Sequence, residues 1–184
     1  MNWLAEGFGV LALVINFIGY RQNNADSYRI VSALALACLS VHFFMLGAMA
    51  AGIVLAIGVV RNFVALRWQG PVVLWVFVLA NLAFMLWEWF WLQHEWPLFV
   101  AYASSLIFTV GSIRLNNATL IRKWFILAEI LGLIYAVLVG SVSGLLFNIV
   151  NLSSISAKLW QDGRALRKQM DTKETTQKPR PPQQ

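Results

Sequence analysis

Seven apolar segments divide this chain. Folding it across a bilayer at each of them puts all 14 Lys and Arg residues on one side. The segments are 3–20, 29–46, 50–67, 72–91, 97–113, 121–138 and 143–160. The loops after the first, third and fifth, together with the tail after the seventh, carry the basic set. Arg61 lies inside the third segment, near the same end. The N-terminus and the remaining loops carry none. Cytoplasmic loops concentrate Lys and Arg, so the pattern predicts an N-terminus outside and a C-terminus inside.

Composition agrees. Hydrophobic residues make up 59% of the chain and charged ones 12%, which takes it out of the water-soluble range. Spans of this length match a hydrocarbon core of about 30 Å at about 1.5 Å per residue. The nine Trp residues map to the two interfaces: Trp3, Trp87, Trp89, Trp91 and Trp96 outside, and Trp68, Trp75, Trp124 and Trp160 inside. The net charge of +6 sits in short loops beside spans, where it serves orientation and anionic headgroups. That placement excludes nucleic acid as a partner and makes membrane lipid the expected one. No basic region precedes the first apolar run, so that run reads as a span and not as a cleaved signal. The single Cys38 lies mid-span and has no disulfide partner in the chain.

The sequence realigns on itself at an offset of 92 residues. Gly19 then meets Gly111, Gly52 meets Gly144, and Trp68-Gln69 meets Trp160-Gln161. Span and loop lengths superpose too. The expected fold is therefore all-α and transmembrane, with residues 1–69 and 93–161 as two parallel three-helix repeats. Because three is odd, residues 70–92 form a linker span that restores the orientation of the second copy. Gly70-Pro71 starts that linker. It ends in an aromatic and acidic stretch whose Glu88, His94 and Glu95 read as wetted interface residues. Residues 162–184 are polar and basic and read as a largely disordered cytoplasmic tail.

Polar groups inside a membrane need a partner or a role. Gly144, Asn148, Asn151 and Ser154 share one face of the seventh span. They form either the wall of a solute cavity or glue between helices. The matching face of the third span holds Gly52, Ala56, Val59 and Asn62. Glu129 and Arg61 lie at similar depth and are candidates for an ion pair; alternatively, Glu129 carries a proton while Arg61 snorkels to headgroups. His42, near the outer end of the second span, is a candidate for titration. Asn16 and Asn81 stand without a pattern.

Enzyme readings fail, because the chain has no nucleophile elbow, zinc motif or phosphate loop. No metal or cofactor is expected. The seventh span also lacks the central Lys that a retinal protein needs.

The stretch HFFMLG at 42–47 and a last span ending in Lys158-Leu159-Trp160 resemble the YgjV-type bacterial inner membrane proteins over about residues 3–160. The resemblance implies an inner membrane location and no stated function. The 3+1+3 plan resembles the SWEET sugar transporters and their half-size bacterial relatives. That resemblance implies a central cavity approached by Asn148 or Asn151, with Asn62 opposite. The Pro hinge of those transporters is missing from 3–20 and from the interior of 97–113. The expected function is passive or proton-coupled movement of a small polar solute, with sugars among the candidates. The alternative is a membrane protein that binds a partner or lipid without transport. Self-association stays open. A cavity lined by Asn148, Asn151 and Glu129 favours transport; helix-to-helix bonding of those groups favours the alternative.

Overall fold

A computed structural model describes residues 3–46, 49–93, 95–138, 140 and 142–177. Its seven helices are α1 (Trp3–Gly19), α2 (Ala25–Met45), α3 (Met49–Arg67), α4 (Pro71–Trp91), α5 (Pro97–Arg114), α6 (Ala118–Leu138) and α7 (Val142–Gln177). No strand occurs among the described residues.

Each apolar segment became one helix, with ends set by local chemistry. α2 begins at Ala25 and α6 at Ala118, ahead of their apolar runs, because an asparagine caps each. Asn24 Oδ1 accepts from the Asp26 amide at 2.7 Å. Asn117 Oδ1 accepts from the amides of Thr119 and Leu120 at 2.9 and 3.1 Å. These bonds satisfy donors that a helix start leaves open. Pro71 and Pro97 open α4 and α5, where a missing N–H does no harm. Gly140, at φ +66, sits in the turn between α6 and α7.

α7 continues to Gln177, through a segment whose composition reads as disordered. Adding a residue to an existing helix is cheap, and Arg, Ala, Leu, Lys, Gln and Met all propagate one well. Residues 178–184 lie outside the described ones.

α2 packs between α1 and α3, and α6 packs between α5 and α7. α3 meets α5, α1 meets α7, and α2 meets α6, so the two groups of three touch through all their members. α4 packs on α5 and more lightly on α3.

Small and polar residues share the interior with a cluster of Tyr20, Tyr28, Ile121, Phe125 and Ile155, and the surface is largely apolar. Ala5, Ala12, Ala33, Ala35, Ala65, Ala128 and Ala136 are buried, together with Asn16, Asn62, Asn81, Asn151 and Glu129. Leu4, Val10, Val14 and Ile18 of α1 and Val72, Val76, Leu79 and Phe90 of α4 are exposed. A water-soluble protein arranges these the other way round. Small residues let helices approach where lipid already solvates the apolar side chains. Among the described residues, three helices, α2, α4 and α5, are long and apolar enough to cross a membrane; α1 is apolar but shorter, at 17 residues.

Candidate functional site

A chain of four buried polar side chains joins α1, α6 and α7. Tyr20 donates its hydroxyl to Glu129 Oε1 at 2.5 Å. Asn151 donates Nδ2 to the same oxygen at 3.0 Å. Asn16 donates Nδ2 to Asn151 Oδ1 at 2.8 Å. Ser154, one turn further along α7, donates to the Phe17 carbonyl at 3.3 Å. Asn151 and Ser154 have no exposed surface, and Glu129 retains 2%.

Glu129 therefore sits among neutral donors, and no ion pair involves it among the described residues. Both donors converge on Oε1. That geometry serves a carboxylate and equally a neutral acid whose proton rides on the other oxygen. Hydroxyl and amide donors can turn as the proton comes and goes. The arrangement is thus compatible with either protonation state of a buried carboxyl.

On the far side of α6, a second seam joins α3, α4 and α5. Arg61 donates Nη1 to Thr109 Oγ1 at 3.1 Å. Its Nε and Nη2 both reach Asn62 Oδ1 at 3.3 Å. Ser105 donates to Asn81 Oδ1 at 2.5 Å, and Thr109 donates to the Ser105 carbonyl at 2.8 Å. Arg61 is buried and turned inward, so it does not snorkel. Arg61 and Glu129 do not pair: each is bonded to neutral groups on its own seam.

Two further arginines bind helix ends across the molecule. Arg29 of α2 donates Nε to the Ser112 carbonyl at 2.9 Å and Nη2 to the Leu115 carbonyl at 2.6 Å. Arg122 of α6 donates Nε to the Tyr20 carbonyl at 2.7 Å and Nη2 to the Gln22 carbonyl. The last carbonyls of a helix lack partners and carry partial negative charge, so a cation is well placed there. Asp26 pairs with Arg29 at 2.7 Å. Asp162 pairs with Arg122 at 3.3 Å and with Lys158 at 3.0 Å.

The remaining sequence candidates are placed apart from these clusters. Asn148 donates to the Gly144 carbonyl of its own helix at 2.7 Å. It packs on Gly132 of α6, where a Cβ would fall 2.5 Å from its Oδ1. His42 bonds through Nδ1 to the Ala5 carbonyl at 2.7 Å and is buried. Glu88 is not wetted: it is buried and accepts from the Tyr102 hydroxyl at 2.9 Å. Glu95 is exposed, and His94 lies outside the described residues. No group of three metal-ligating residues converges among the described ones.

Tyr20, Arg29, Ser105, Thr109 and Arg122 were not singled out by the sequence pattern. Arg29 and Arg122 read there only as topology markers. Asn16 and Asn81 had no visible pattern because their partners lie on other helices.

A family model described as a bacterial inner membrane protein, Imp-YgjV, matches residues 3–165. The chain belongs to this family. Another YgjV-type sequence, the inner membrane protein YgjV of Escherichia coli (strain K12), is 29% identical over 79 residues. That alignment covers 43% of this chain and 43% of the relative, so less than half of either length is compared. No solved structure matches. Within the YgjV family, this chain is an inner membrane protein with two buried polar seams, one around Glu129 and Asn151 and one around Arg61 and Thr109.

Proposed function

We propose that this YgjV-family protein moves a small polar solute across the inner membrane, with Glu129 taking up and releasing a proton in each cycle. The observation that carries this reading is the buried carboxyl held by Tyr20 and Asn151 with no basic partner among the described residues. An ionisable group at membrane depth is expensive, and structural glue needs none. Asn16, Asn151 and Ser154 supply donors and acceptors suited to a hydroxyl-bearing solute once the α1–α7 junction opens.

The framework in this reading is seven spans, N-terminus outside and C-terminus inside, with residues 1–69 and 93–161 as parallel repeats about α4. The arginine clamps support it. Arg29 binds the end of α5, and Arg122 binds the end of α1, so each group of three reaches into the other in the same way. Tyr20 and Ser112 correspond at an offset of 92, while Arg29 and Arg122 correspond at 93. The helix contacts exchange in the same sense, with α3–α5 answering α7–α1.

A second reading has its own support. Asn151 is bonded helix to helix on both sides, which is what a non-transporting protein that binds a partner or lipid would show. Reconstituted proteoliposomes with an internal pH indicator separate the two. Transport predicts that an inward gradient of one solute from a panel of sugars, polyols and small acids changes internal pH. Glu129→Gln should abolish that change at equal folded protein. No solute response in the wild type leaves the second reading, and an unchanged response in Glu129→Gln refutes the proton role of Glu129.

A further inference from the structure

Arg61 stands out among the buried arginines. Arg29 and Arg122 each hold a carboxylate and two backbone carbonyls. Arg61 holds neither. It retains 7% exposure, and no ion pair involves it among the described residues. Its three bonds, all at 3.1–3.3 Å, end on the oxygens of Thr109 and Asn62. A guanidinium has five N–H groups, so among the described residues one on each terminal nitrogen has no acceptor.

A buried cation without a counter-charge costs several kcal/mol even after relaxation. An anion restores neutrality and uses the two idle N–H groups. The terminal nitrogens form a planar fork that matches a carboxylate with two parallel bonds. The surroundings are rich in donors that can be redirected: Asn81 Nδ2 and the hydroxyls of Ser105 and Thr109. Gly58 lies beside the guanidinium: a Cβ there would come to 3.8 Å from Nη2 and 3.1 Å from Leu36 Cδ1, so the Leu36 side chain must shift to admit a ligand.

We propose that Arg61, Asn81, Ser105 and Thr109 form a buried site for a small planar oxyanion of the carboxylate class. The site lies on α3, α4 and α5. It shares no side chain with the Glu129 junction, and its test does not depend on flux.

The test is thermal unfolding of the full chain in nonionic detergent, followed by Trp fluorescence at fixed ionic strength. Acetate and nitrate are the planar probes, and chloride is the spherical control. Binding of a native-state ligand at a hundredfold excess over Kd raises the midpoint by about 5–10 °C. Acetate and nitrate should both do so relative to chloride. The shift should vanish in Arg61→Gln, weaken in Arg61→Lys, which keeps the charge but not the fork, and persist in Glu129→Gln. If Arg61→Gln does not fold, the near-isosteric Thr109→Val replaces it and should weaken the apparent affinity at least threefold. Equal midpoints in all three salts overturn the proposal. So does a shift that survives undiminished in Arg61→Gln, or in Thr109→Val where that variant replaces it, and so does one that is lost in Glu129→Gln.

Discussion

Asn151→Leu removes the centre of the α1–α6–α7 chain. The side chain gives one bond to Glu129 Oε1 at 3.0 Å and receives one from Asn16 Nδ2 at 2.8 Å, with no exposed surface. Leucine keeps the bulk but makes neither bond. Glu129 retains Tyr20, so its loss is partial. Asn16 keeps no side-chain acceptor, and a buried amide donor left open costs about 1–3 kcal/mol. Interhelical bonds in membranes average about 0.6 kcal/mol and reach about 1.7. Together the change should destabilise the fold by about 2–4 kcal/mol, or roughly 5–15 °C in the midpoint at about 2–4 °C per kcal/mol. Thermal unfolding in detergent measures it directly. The decisive variant is the double change Asn16→Leu/Asn151→Leu. With both partners apolar, no donor is stranded, so the double should be less destabilised than the sum of the singles by about 1 kcal/mol or more. Strict additivity, or a single-variant shift under about 1 °C, would refute the hydrogen-bonded junction. Under the transport reading, Asn151→Leu also abolishes solute flux in the fraction that remains folded. Under the glue reading, flux falls only as folded protein is lost.

The other predictions address framework and clamps. A reporter fused after Trp160 should read cytoplasmic and one at His94 periplasmic; finding both on one side sinks the seven-span topology. In an experimental structure, residues 1–69 should superpose on 93–161 by rotation about the membrane normal, and a match only after inversion in the membrane plane would defeat the parallel repeat. Arg29→Lys and Arg122→Lys should each lower the unfolding midpoint by several degrees, because an ammonium cannot span two carbonyls as the fork does. Midpoints unchanged in both would show that the charge alone suffices.

The helical plan was legible because apolar run length is a local signal, and Pro71 and Pro97 mark their helix starts. The starts of α2 and α6 were read late because hydropathy ignores the polar first turn that Asn24 and Asn117 cap. Asn151, Ser154, Glu129, Arg61 and Asn62 were identifiable as costly residues in apolar runs. Their partners were not, since Tyr20 and Glu129 lie 109 residues apart and nothing local links them. Asn148 and Asn151 share a helical face, yet Asn148 turns to Gly132 and its own backbone. Periodicity gives the face but not the neighbour.

The grip of Arg122 on the end of α1 also sets a timetable for biogenesis. Gln22 and Arg122 are 100 residues apart. At about 5–20 residues per second, the ribosome takes roughly 5–20 s to deliver the arginine after the carbonyl it will hold. Under the proposed topology, the end of α1 stays open to cytoplasmic water through that interval. In that topology the first three helices wait for α6 to close this contact. A chain truncated before Arg122 should remain in that state, a natural substrate for membrane quality control.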